Sequence, residues 1–411
     1  MNVRAAPGVH RFARCAAAGV VGLLLHVAVD PESLRAQTVL GTAVDAADGR
    51  PIAGAFVILE GETGDERARG LTTAAGSFRL ATPRPGTYRL RLERIGFEDL
   101  VTEPFELTGD KTISRHLEVS VRPIELAAVE VTGGEPRCGT PADEALELGR
   151  VWEEARKALE GAAWTDRQSY YRFDVILFRE ELDRDGAPVA EPEYESIRVY
   201  GRHPFRSAMP NDLAFGGWVQ RQSREGLKFY APDAEVLLSE SFLGLHCFRL
   251  VRSESAPRRL LGIEFEPAPG RRVGRPIPDI RGVLWLDRES AELRSLEFGY
   301  ANLQLPVPTD PLGGRVEFDH LPDGGWIVRS WEIRTPLTQI QELRVGGRRQ
   351  QRVRLTGLQL EGRQVLAVWR TGDVQADPGA ELPADLPPVV APPDELIRRY
   401  PAPGEPVPRM E

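Results

Sequence analysis

A mainly β fold is predicted: a small β-sandwich followed by an antiparallel β-sheet domain with one helix. Three observations predict it. Residues 38–97 alternate short apolar runs with Gly, Pro and Asp turn signals. Residues 143–159 carry apolar side chains at helical spacing. From residue 169 onward, strand-like runs return between turn residues.

The first strand is expected at 39–44. Asp48-Gly49 turns the chain, because Gly at the second place accepts positive φ. Pro51 opens a second run at 55–59. Ala74-Ala75-Gly76 leads into 77–80, and Pro85-Gly86 into 87–92. In that last run Tyr88, Leu90 and Leu92 share one face, while Arg89, Arg91 and Glu93 share the other. A strand buried on one side needs this period of two.

The segments GTAVDAADGRPIAGAFVIL, TTAAGSFRL and PGTYRLRLERIGF, in that order, resemble the carboxypeptidase regulatory-like domain. The resemblance implies a transthyretin-like, carbohydrate-binding-like sandwich over 37–122. It implies an accessory module without a peptidase centre. Many relatives carry Asp before the Gly-x-Phe turn; here Ala74-Ala75 stands there, which removes a metal or polar role. Residues 123–134 resemble the stretch that follows this module in TonB-dependent receptors. Fewer than 280 residues remain after it, without the repeated strands and aromatic girdles of a transmembrane barrel.

The remaining organisation reads as a linker at 123–142, an α+β antiparallel-sheet domain at 143–372 and a Pro-rich tail at 373–411. In the helix, Leu146, Val151, Trp152, Ala155 and Leu159 form the apolar stripe. Strands are expected at 170–181, 197–201, 227–230, 246–251, 260–265, 282–287, 293–300, 315–318, 326–333, 353–360 and 365–369. Pro322-Asp323-Gly324-Gly325 and Glu361-Gly362 are read as turns. The phrase GVLWLDRESAELRSLEF is similar to the strand-turn-strand of periplasmic lipoprotein-carrier half-barrels. Ten prolines in the last 39 residues make the tail an extended spacer, with 394–400 as a short docking segment.

The formal net charge of −9 argues against a nucleic-acid partner, which needs a basic stripe. Residues 1–36 read as a signal peptide. Arg4, Arg11 and Arg14 precede an apolar run at 16–29, too short to span a bilayer. No later stretch is apolar enough to cross a membrane as a helix. Export implies the periplasm, or outer-membrane association, of a Gram-negative-type bacterium. Cys15 falls in the signal segment, which leaves Cys138 and Cys247 as a disulfide pair in an oxidising compartment.

Chemistry is sparse. None of the six histidines has Glu three places on, so a zinc carboxypeptidase pattern is missing. No His-Glu-x-x-His, Gly-x-Ser-x-Gly, Walker or Rossmann motif occurs. His246 and Cys247 are adjacent, but neighbours on a strand face opposite ways and cannot act as a pair. Glu264 and Glu266 share a strand face and read as solvated. Trp285, Phe298, Tyr300, Trp326 and Trp331 read as core. No catalytic, cofactor or metal residue is therefore assigned. The expected function is a non-catalytic exported cell-envelope protein with a binding or scaffold role, its partner a glycan or an envelope protein. Carbohydrate binding and carriage of a lipophilic ligand stand as alternatives.

A Cys138–Cys247 bond closes a loop worth about 4–5 kcal/mol in the chain-entropy picture. The native protein is expected to migrate faster on a non-reducing gel than after reduction. Two alkylatable thiols in unreduced protein would sink the pairing.

Overall fold

The computed structural model describes residues 37–122 (without 83 and 109–111), 142–167, 171–200, 207–222, 226–252, 260–269, 277–303, 311–345 and 348–370. The expected signal segment, Cys138, His203, Arg258-Arg259, Arg271-Arg272 and the tail beyond 370 lie outside the described residues.

The chain is mainly β. Two sheets form the first unit. One has the order β4-β1-β8, with β1 (Gln37–Asp45) antiparallel to β4 (Ser77–Thr82) and parallel to β8 (Thr112–Val119). The other joins β3 (Glu66–Leu71), β2 (Phe56–Gly61), β5 (Gly86–Glu93) and β6 (Leu100–Val101), with β7 (Phe105–Leu107) also on β5. Val39, Val57, Leu59, Phe78, Tyr88 and Leu90 fill the space between them. The period of two in β5 thus places its apolar face as expected. β3 and β8, ERARGL and TISRHLEV, escape a pattern search because polar residues dominate both.

Helix α1 (Ala142–Arg167) follows, and then a nine-stranded antiparallel sheet. Its strands are β9 (Tyr171–Leu182), β10 (Glu193–Tyr200), β13 (His246–Arg252), β14 (Leu260–Pro267), β15 (Asp279–Asp287), β16 (Leu293–Ala301), β17 (Gly313–His320), β18 (Trp326–Val345) and β19 (Arg348–Arg370). The order is β10-β9-β19-β18-β17-β16-β15-β14-β13. Between β10 and β13 lie α2 (Pro210–Gly216), the hairpin β11 (Val219–Gln222) and β12 (Gly226–Phe229), α3 (Ala234–Leu237) and α4 (Glu240–Leu245). One helix was expected, and four occur among the described residues. The three short ones start on local signals: Pro210 in the first turn of α2, and the caps Asp233 and Ser239, which accept from the Val236 and Phe242 amides.

Val151, Ala155, Ala158, Leu159 and Ala162 of α1 pack into one core with Ile263, Leu284, Leu296 and Val316 of the sheet. Leu213, Val236, Leu237 and Phe242 of the short helices join it. Leu146, assigned to the apolar stripe, is instead exposed, one turn before the helix reaches the sheet. The helix also runs past the expected end at 159. Gly161 leaves room there for the Trp326 indole: a Cβ would stand 3.0 Å from its ring.

Glycine and aromatic residues alternate across the sheet. Phe265, Gly282, Phe298 and Gly314 stand opposite one another on β14 to β17. A Cβ on Gly282 would come within 2.7 Å of the Phe265 ring, and one on Gly314 within 2.8 Å of the Phe298 ring. Each ring thus covers a glycine, as in aromatic rescue. The same relation corrects the reading of Glu361-Gly362 as a turn. Both lie within β19, and Gly362 faces Phe178, whose ring takes the Cβ position.

One sandwich residue enters the second core. Ile95, just after β5, is 5% exposed and clusters with the α1 and sheet side chains. Truncation of a buried Ile removes its contacts and leaves a cavity. Ile95→Ala is expected to cost about 2–4 kcal/mol by calorimetric or denaturant unfolding. An unchanged stability would show that this contact does not hold the two units together.

Candidate functional site

The polar face of α1 meets the sandwich along a seam of charges. Arg156 donates to Glu153 (2.8 Å) and Glu160 (2.6 Å), and lies 3.7 Å from buried Glu93. Glu160 also receives Arg69 at 3.2 Å, and Arg69 holds Glu66 at 2.8 Å. Lys157, itself buried, reaches Asp99 at 2.8 Å and Glu154 at 3.1 Å. The second Glu154 oxygen accepts the Gly96 amide at 2.8 Å. Deeper in the sandwich, Glu60 accepts from both Arg89 and Arg91 at 2.7 Å.

Buried ions need such partners, because desolvation otherwise exceeds their attraction. Burial alone raises the carboxyl pKa of Glu160; the charges and hydrogen bonds of Arg156 and Arg69 outweigh it and hold it below the ordinary value. Glu60 follows the same logic: burial raises it, and Arg89 and Arg91 bring it lower. Arg94 is lowered by burial, although Glu292 opposes the shift.

The seam is closed by a backbone contact and by rings. Gly54 and Gly324 touch across it, both at positive φ. A Cβ on Gly54 would stand 2.5 Å from the Gly324 carbonyl. Gly324 belongs to the Pro322–Gly325 turn between β17 and β18, read correctly from sequence, with Gly324 N–H donating to Leu321 O. Phe56 meets Trp164 edge-on at 5.8 Å, and the Arg69 guanidinium lies 5.0 Å over Phe56.

Beside these rings runs a groove of about 490 Å³. Leu40, Phe78 and Arg79 line it from the sandwich, and Trp164, Tyr171 and Arg370 from the second unit. Tyr171 donates to Asp323 at 2.8 Å, and Arg370 lies 3.7 Å from the same carboxylate. Burial, then the Asp323 charge, pushes the Tyr171 phenol upward, so it stays a donor. The groove offers aromatic faces and guanidinium groups at a junction of two units, a common place for a ligand.

The residues weighed from sequence are placed as follows. His246 is buried, its Nδ1 2.9 Å from Phe242 O and its Nε2 3.3 Å from Asp279 Oδ1. Phe242 and Phe265 flank the ring at 4.1 and 5.7 Å. The adjoining pocket is only about 10 Å³, room for little more than one water. Ser239 and Ser241 share that pocket, but both imidazole nitrogens already face Phe242 O and Asp279. Sequence reasoning missed Asp279, which lies 33 positions away. Cys138, the expected partner of Cys247, lies outside the described residues. Glu264 and Glu266 both pair with Arg249. Phe298, Tyr300 and Trp326 are core, as expected, with Trp331 packed against it. His116 and His320 sit apart on β8 and β17, and no metal-ligating cluster occurs among the described residues.

These features define a protein class: a small β-sandwich joined through a two-faced helix to a wide antiparallel sheet. Residues 38–122 match the carboxypeptidase regulatory-like domain family. No curated protein matches the chain. Solved structures align with parts of the chain at low identity. The pilus 2b backbone protein of group B streptococcus is 13% identical over 21% of this chain and 41% of its own, with a TM-score of 0.17. The TIE protein of Bacillus anthracis is 14% identical over 40% of this chain and 27% of its own, at 0.19. The chain thus spans less than half the length of either. BcpA, the major pilin subunit of Bacillus cereus, is 9% identical over 82% and 88%, at 0.19. Scores of this size carry no argument about fold or role.

Depressed carboxyl pKa values stabilise the folded state above the ordinary glutamate range, and that stability is lost as pH falls through them. Wild type is expected to melt above Glu160→Gln at neutral pH, with the gap closing on acidification below about pH 4.5. A gap independent of pH would assign the effect to packing.

Proposed function

We propose that the protein is a non-catalytic, exported cell-envelope protein in which the carboxypeptidase regulatory-like module has a binding or scaffold role. The observation that carries this reading is the charged seam. It fixes the module on α1 and forms the groove of Arg79, Trp164, Tyr171 and Arg370 between the two units. A Cys138–Cys247 bond in a periplasmic or outer-membrane-associated chain completes the proposal.

Two alternatives fit less well. Carbohydrate stacking on the sandwich needs exposed rings, but Phe56, Phe78, Tyr88 and Phe105 are buried. A lipid carrier needs an open apolar face, and α1 with α2–α4 packs against that face of the sheet. No helix among the described residues is long and apolar enough to cross a membrane.

Cell fractionation with mass spectrometry is expected to recover a chain trimmed near Gln37 in the envelope fraction. Full-length protein in the cytoplasm would overturn the export reading. Turnover of a C-terminal dipeptide library, abolished by a chelator, would overturn the non-catalytic one.

A further inference from the structure

β18 and β19 are far longer than their neighbours. β17 follows β18 only to the Gly313–Arg334 pair, and β9 follows β19 only from Leu358 onward. From the Thr338–Leu355 pair to the Val345–Arg348 pair, the two strands bond to each other and, among the described residues, to no third strand. Eight residues on each strand make an arm of roughly 25 Å.

The composition of this arm is opposite to that of the chain. It holds Arg344, Arg348, Arg349, Arg352 and Arg354 against one carboxylate, Glu342, in a protein of formal net charge −9. The arm therefore combines five arginines and a single carboxylate with the aliphatic residues Ile340, Leu343, Val345, Val353 and Leu355.

We propose that this arm docks on anionic lipid headgroups at a membrane surface. The charge complementarity is direct, and each arginine near an anionic bilayer contributes on the order of 1 kcal/mol. Aliphatic residues interspersed among the arginines suit the boundary between headgroup and acyl chain better than a purely polar polyanion. An isolated two-stranded ribbon is marginal in water, so a surface that covers one face stabilises it. The arm is longer than the screening length of about 8 Å, which keeps the acidic body away from the lipid charge. The inference holds whichever compartment the chain occupies.

Flotation with phosphatidylcholine vesicles, with and without about one-third phosphatidylglycerol, tests it. Binding is expected only with phosphatidylglycerol, and it should weaken as salt is raised. Replacing Arg344, Arg348, Arg349, Arg352 and Arg354 by Gln should lower the partition coefficient at least about tenfold, with the melting temperature retained. R281Q/R315Q, on the body of the sheet, should bind like wild type. Equal binding to neutral vesicles, undiminished binding of the five-Arg variant, or binding to duplex DNA without vesicle binding would each overturn the proposal. Should the five-Arg variant fail to fold, loss of binding by R348Q/R352Q alone supports it, and retention counts against it.

Discussion

Everything in this structure depends on α1 having two different faces. Val151, Ala155, Ala158 and Leu159 supply an apolar stripe that the wide sheet covers. Glu154, Arg156, Lys157 and Glu160 supply a charged stripe that the sandwich covers. A helix of this kind cannot be satisfied by either unit alone. Without the sandwich, the buried ions would face water along a helix already packed on its other side. Without the sheet, the aliphatic stripe would be exposed. The geometry explains why Ile95 enters the core of the second unit and why Gly54 and Gly324 meet without side chains between them.

The second constraint is the close approach of large rings to neighbouring strand backbones. Gly282, Gly314 and Gly362 leave room for the rings of Phe265, Phe298 and Phe178, which cover them. On the opposite side, Arg315 bridges Glu297 and Glu317, and Arg249 holds Glu264 and Glu266. Such exposed pairs contribute little stability each. Their effect is to keep the outer face of the sheet charged and hydrated.

Much of this was legible in the sequence because it is local. The sandwich strands with clean alternation, the Asp48-Gly49 and Pro322–Gly325 turns, the start of α1 and the opposite facing of His246 and Cys247 follow from period and turn chemistry. What failed was non-local. Gly362 looked like a turn because its partner, Phe178, lies 184 positions earlier. Asp279 could not be linked to His246 because only the β13-to-β15 arrangement brings them together. The α1 seam was unreadable for the same reason: a charged helix face looks solvated until its partner is known. The helix expected to end at 159 continues through Gly161, whose missing side chain accommodates the Trp326 ring supplied by β18.

The β18–β19 arm shows a further limit of whole-chain quantities. A net charge of −9 argues against a nucleic-acid partner, but charge acts over distances near the screening length, not over a whole chain. Five arginines within two paired segments create a local field that the distant carboxylates do not cancel. The expected strands stop at 333 and resume only at 353, because the Arg and Gln residues between them carry no hydrophobic period, although the backbone of β18 and β19 is strand across most of that stretch. A two-stranded ribbon without a third strand needs some other source of order. In this chain, the ribbon that meets no third strand among the described residues is also the segment whose charge opposes the rest. That coincidence is what a surface-seeking element requires: its sign attracts it to the target, and the sign of the body orients the molecule with the arm foremost.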